Sequence, residues 1–181
     1  MNSSTETRIL SKTPVYQGSF LTLDAVELEL PNGHHTVHDV VRHPGAVAIL
    51  AMDADKRVLM VRQYRTAFER EMLEIPAGKL EPGEDPLECA RRELIEETGY
   101  VPGKLRLLVS IAVAAGYCDE ILHLFLATDL CEGPAQPDVD EFVSMQWVAL
   151  DDLITDMQQG SLKDSKSITA ILWAHTALAG D

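Results

Sequence analysis

A chain of 181 residues, 46% hydrophobic and 24% charged, has the make-up of one folded globular domain. Its 29 acidic against 15 basic side chains leave a net charge of −14, which excludes non-specific nucleic-acid binding through a positive surface and demands divalent cations wherever an anionic ligand is held. No apolar run is long enough to cross a bilayer, no basic-then-apolar leader opens the chain, and three cysteines without a CxxC pair do not form a disulfide framework, so no membrane association and a reduced cytoplasmic protein are expected.

The first predicted element is a hairpin. "SFLTLDAVELELPNGHHTVHDVV" alternates in character and turns at Pro31-Asn32-Gly33. "GAVAILAMD" is a nearly continuous apolar strand, joined through Asp53–Lys56 to a second strand, "RVLMVRQYR". A central helix follows, capped by Asp85, with Pro86 in its first turn and Gly99 just past its end. "KLRLLVSIAV", "EILHLFLATDL" and "FVSMQWVAL" read as further strands. Two helices close the chain, one from Asp151 to about Gln159 and one from about Lys166 to Leu178, the latter apolar at Ile168, Ile171, Leu172 and Leu178. The pattern predicts a mixed α/β sandwich, with an N-terminal β extension over residues 1–43 and the main domain over 44–181.

The central helix carries an unusual charge pattern. Glu93 and Glu97 are four residues apart on one face, and Glu96 lies three from Glu93. Like charges so placed repel, and a helix with only a structural role gains nothing from them. A hard divalent cation such as Mg²⁺ or Mn²⁺ accounts for them; a solvated helix face is the plainer alternative. Arg92, four residues before Glu96, is placed to pair with it. Gly78, Pro82 and Gly83 permit an irregular backbone beside the helix, where the carbonyl of Ala77 could reach a metal.

"GKLEPGEDPLECARRELIEETGY" resembles the Nudix box, G-x5-E-x7-R-E-U-x-E-E-x-G-U with U bulky and apolar. It matches at Gly78, Glu84, Arg92, Glu93, Leu94, Glu96, Glu97, Gly99 and Tyr100. The resemblance implies a Nudix-type α/β/α sandwich with a mixed sheet, and hydrolysis of a nucleoside diphosphate linked to another group. It also implies two or three Mg²⁺ or Mn²⁺ ions held by Glu93, Glu97, Glu96 and the Ala77 carbonyl, with Arg92 orienting a carboxylate and Glu84 stabilising the loop or touching metal through water. "VRQYR", "LEIPAGKLEPGE", "GYCDEILHLFLA" and "GSLKDSKSITAILWA" are similar to the branch that cleaves ADP-ribose and nucleotide sugars. Members specific for ADP-ribose usually carry Ser-Pro-Gly where this chain has Ala114-Ala115-Gly116, which leaves ADP-glucose and GDP-mannose open as substrates. A dinucleotide or coenzyme substrate, and a non-catalytic module that senses nucleotide sugars, are the alternatives.

The same resemblance implies the remaining roles. Arg65, with Arg62 nearby, would meet substrate phosphates or ribose. Tyr16 and Phe20 would stack on a base, or else be core. His38 and Gly116 would face substrate. Glu141, with Asp138 and Asp140 as substitutes, would contact metal and act as general base from the loop "PAQPDVDEFVSMQW". The N-terminal extension would pack across a second copy to form a homodimer. His34, His35 and His38 fit no zinc spacing and read as hairpin decoration, while Cys118 lacks an oriented histidine and reads as a loop residue.

Overall fold

A computed structural model describes residues 6–133 and 144–178 of the chain. The described chain divides into two compact units. One holds the residues up to Gly45 together with Ala112–Ile121, and the other holds Ala46–Ile111 and the residues from Leu122 onward.

In the first unit, β1 (Arg8–Gln17), β2 (Thr22–Glu29) and β3 (His35–Arg42) form an antiparallel sheet in that order. The β2–β3 hairpin is the one expected, with Gly33 at φ 81° closing its turn. Strand β1 was not legible in the sequence. "RILSKTPVYQ" is exposed along its whole length, so burial imposes no alternation on it, and Pro14 suits only an edge strand. Residues 112–121 dock on this sheet. Val41 N–H donates to Tyr117 O at 2.7 Å and Asp119 N–H to Val41 O at 3.1 Å. Arg42 ties the two by donating to Asp24 Oδ2 at 2.8 Å and Asp119 Oδ2 at 3.1 Å.

The second unit contains two sheets. One has the order β10 (Ser144–Ala149), β5 (Arg57–Arg65), β6 (Arg70–Glu74), all antiparallel. The other has the order β7 (Ala77–Lys79), β4 (Ala46–Ala51), β9 (Ile121–Glu132), β8 (Tyr100–Ala112). It is mixed: β4 runs parallel to β9 and antiparallel to β7. The helices are α1 (Pro86–Thr98), α2 (Leu150–Gln159) and α3 (Ser165–Leu178).

Strand β4 shows why its sequence is apolar throughout. Ala46, Ala48 and Leu50 pack in a cluster with Leu150, Leu153, Ala170 and Ile171 of α2 and α3. Val47, Ile49 and Ala51 pack in a second cluster with Cys89, Ala90 and Leu94 of α1. Both faces are covered, so the strand has no polar side. This is the expected α/β/α layering. Strands β6 and β7, of five and three residues, have no periodicity of their own in the sequence; each is recruited by a neighbour, β5 and β4 respectively.

Ile171 is fully buried where α3 meets the sheet. Ile171→Ala should destabilise the domain by about 2–5 kcal/mol, read from urea-unfolding midpoints.

Candidate active site

Helix α1 is set by its ends. The Asp85 side chain accepts from the N–H groups of Leu87 and Glu88, Pro86 opens the first turn, and Gly99 at φ 73° closes the last by donating its N–H to Ile95 O. Cys89, Ala90 and Leu94 turn to the core with Glu97 buried beside them, and Arg92 reaches back from the helix to Glu84 in the loop before it. That loop turns at Gly83, where φ is 79°. Its turn is closed from within, Glu81 N–H donating to Glu84 Oε2 at 2.9 Å and Glu84 N–H to Glu81 O at 3.0 Å.

Arg92 is the hub of the site. Nε donates to Glu84 Oε1 at 2.9 Å and Nη2 to Glu84 Oε2 at 3.0 Å, a bidentate pair. Nη1 donates to Glu93 Oε1 at 2.8 Å and to Glu96 Oε2 at 2.9 Å. Nη2 also reaches Lys79 O at 3.4 Å. One planar cation thus touches three carboxylates and the end of β7. The bonds from Arg92 hold the Glu84 carboxyl at about 2, well below its ordinary value, and the same pairing with Glu84 raises the Arg92 guanidinium further. Burial pushes the neighbouring Cys89 thiol up to about 12, so it stays neutral.

Two contacts bring the helix onto β7. A Cβ at Gly78 would stand 1.8 Å from the Glu93 carboxyl carbon, so the Glu93 carboxylate occupies the space that glycine leaves. Glu97, only 9% exposed, accepts the Ala77 N–H through Oε2 at 3.2 Å. Glu93, Glu97 and the Ala77–Gly78 backbone therefore lie side by side, an all-oxygen donor set that fits a hard divalent cation. Among the described residues no three acidic, histidine or cysteine side chains are gathered into a closed cage: Arg92 draws Glu93 and Glu96 to itself, while Glu97 turns to Ala77. Glu141, Asp138 and Asp140 lie outside the described residues.

The other expected site residues have these places. Arg65 is bound bidentately to Glu74, Nε–Oε1 at 2.9 Å and Nη2–Oε2 at 2.6 Å. Arg62 lines a cavity of about 440 Å³ with Arg70, Leu73, Asp156 and Lys163. In the first unit, Tyr16 is 60% exposed on β1, His38 is exposed on β3, and Phe20 meets the His43 ring edge-on at 5.6 Å between centroids. Gly116 lines a cavity of about 380 Å³ with Arg42, Tyr117, Cys118 and Asp119.

Sequence reasoning missed a buried charge network. Glu74, 2% exposed, is bound by Arg65 and by Lys166 Nζ of α3. Burial raises its pKa, but the bonds from Arg65 and Lys166 outweigh that and hold it below the usual carboxylate value. Lys166 also reaches Asp164 Oδ1 at 2.9 Å, and Asp164 Oδ2 caps α3 by accepting the Ser167 N–H at 3.0 Å. Only the segments "LEIPAG" and "DSKS" signalled it, and neither announced that Glu74 would be buried.

Two outcomes test this geometry. Gly78→Ala should leave the fold intact but displace Glu93, weakening Mn²⁺ binding measured by calorimetry. The Glu84 carboxyl is depressed in the folded state, so its contribution to stability is present above its ordinary value of 4.5 and lost as pH falls through about 2. Glu84→Gln should flatten the pH dependence of stability across that window in acid-unfolding curves.

The sequence matches the NUDIX domain model over residues 41–169. The chain is 41% identical to the ADP-ribose pyrophosphatase of Bacillus subtilis (strain 168), over 93% of this chain and 92% of the relative. It is 40% identical to the methanol dehydrogenase activator of Bacillus methanolicus, over 92% of this chain and 91% of that one. A crystal structure of an ADP compounds hydrolase superposes with a TM-score of 0.86 over 99% of this chain and 98% of that chain, at 24% identity, and shows the same fold. With an intact glutamate pattern on α1 and relatives aligned over nearly their whole length, the chain belongs to the Nudix family.

Proposed function

We propose that this Nudix pyrophosphohydrolase cleaves the pyrophosphate of ADP-ribose or a related nucleoside diphosphate sugar. The observation that carries the reading is the juxtaposition of Glu93 over Gly78 with Glu97 on the Ala77 amide, oxygen donors set together on a rigid helix and strand. The substrate class is supported by the name of the Bacillus subtilis relative, an ADP-ribose pyrophosphatase.

Glu93, Glu96, Glu97 and the Ala77 carbonyl would hold two or three Mg²⁺ or Mn²⁺ ions, with Glu141 as a further ligand. When bound, such ions neutralise charge on the pyrophosphate oxygens and acidify a water. The chain's own groups do the positioning. Arg92 orients Glu93 and Glu96, and Glu84 fixes Arg92 in turn. Glu141 accepts the proton of the attacking water. The water oxygen bonds to one phosphorus, the bridging oxygen leaves with the other, and the products are a nucleoside monophosphate and a sugar phosphate. Arg62, Arg65, Tyr16, Phe20, His38 and Gly116 would contact substrate, Arg65 through whatever face Glu74 leaves to it.

The reading extends to a cytoplasmic homodimer built through the N-terminal strands. Exposed Ile9, Val15, Tyr16 and Val37 in the first unit leave apolar side chains on that sheet that a second copy would cover. No helix among the described residues is long and apolar enough to cross a membrane. The relative named methanol dehydrogenase activator favours a second reading, in which the chain alters a partner protein's activity.

With Mg²⁺ the protein should convert ADP-ribose to AMP and ribose 5-phosphate, resolved by ion-exchange chromatography, and a chelator should abolish turnover. Glu97→Gln should lower kcat by about a hundredfold or more, the equivalent of roughly 3 kcal/mol of lost charge stabilisation. Absence of turnover on ADP-ribose and on nucleotide sugars, with metal bound, would move the second reading to the front.

A further inference from the structure

The backbone from Ile75 to Gly78 is held at every residue by a different contact. Ile75 N–H donates to Ser167 Oγ of α3 at 2.8 Å. Pro76 O accepts the Ile49 N–H of β4 at 2.8 Å. Ala77 N–H donates to Glu97 Oε2, and Gly78 lies under the Glu93 carboxylate. Three of these anchors belong to the layers that carry the site. Ser167 does not: it comes from the far end of the chain, 92 residues away, and is itself fully buried.

Ser167 is held in its turn. Its hydroxyl donates to Asp164 Oδ2 at 2.5 Å, which leaves an oxygen lone pair aimed at the Ile75 amide. Asp164 Oδ1 receives Lys166 Nζ, which also binds Glu74, the residue before Ile75. Glu74 takes Arg65 bidentately on its other side. The start of α3 therefore grips two consecutive residues of one strand end, Glu74 by charge and Ile75 by hydrogen bond. Both grips lie within three residues of the Ala77 carbonyl. A buried N–H at Ile75 needs a partner in any case, and water or a neighbouring strand could have supplied one. A side chain locked by a further bond to Asp164, itself held by Lys166, defines the strand position more tightly.

We infer that Ser167, set by Asp164 and Lys166, is a positioning residue for the metal site: it fixes the Ile75–Gly78 backbone so that the Ala77 carbonyl and the Glu97 and Glu93 carboxylates converge. The inference rests on the reading of Glu93, Glu97 and Ala77 as metal donors. Arg65 belongs to the same device, since it holds Glu74 from the other side. Groups of this kind behind metal donors typically alter metal affinity by about 10–100-fold when removed.

The test is a titration of the purified full-length protein with Mn²⁺ alone, free ion being read by electron paramagnetic resonance, beside thermal unfolding and steady-state kinetics. Ser167→Ala should raise the Mn²⁺ dissociation constant by about tenfold and lower kcat with KM little changed. Ser167→Thr, which keeps the hydroxyl, should restore both. If Ser167→Ala fails to fold, Lys166→Gln, which loosens the same grip through Glu74, carries the same expectation. A folded Ser167→Ala protein of lower melting temperature that binds Mn²⁺ like the parent would overturn the inference and leave Ser167 a packing residue. A parent protein that binds no Mn²⁺ would instead sink the reading of the donors, and the inference with it.

Discussion

Everything at the site depends on one arginine among glutamates. In a protein of net charge −14, Glu84, Glu93 and Glu96 converge on a single small volume. At an effective dielectric near 20, two like charges about 4 Å apart repel by roughly 4 kcal/mol, so such a group does not hold together without a cation inside it. A lysine would offer one compact charge. Arginine offers five donors in a plane, enough to bind Glu84 with two and still reach two other carboxylates and the Lys79 carbonyl. Helix α1, the loop before it and the carboxylates are thereby made one rigid body.

That body must meet β7, and the meeting depends on size as much as charge. Gly78 has no side chain where the Glu93 carboxylate lies, so the carboxylate rests against the strand backbone in space that a Cβ would take. Glu97 replaces its lost hydration with the Ala77 N–H. The strand then needs support from behind, because three residues of β7 paired to β4 are little to resist displacement. Helix α3 supplies it, through Ser167 on the Ile75 amide and Lys166 on Glu74. Desolvating Glu74 is costly, and two cationic partners offset that cost while making its position unique.

The sequence by itself determined the helix and its chemistry. Asp85, Pro86 and Gly99 state the ends of α1, and the spacing of Arg92, Glu93, Glu96 and Glu97 states which of them share a face, because helix geometry is local. The apolar run of β4 and the Pro31–Gly33 turn were legible for the same reason: each is a pattern within a few residues. Only the tertiary structure decided what depends on partners far along the chain. Strands β1, β6 and β7 exist through their neighbours, the pairing of Glu74 with Arg65 and Lys166 spans 9 and 92 residues, and Ser167 meets Ile75 across 92. A hydrogen bond to a distant amide leaves no periodicity in sequence. The donors of the site were written in one segment, whereas the stiffness behind them came from folding that brings the end of the chain to its middle.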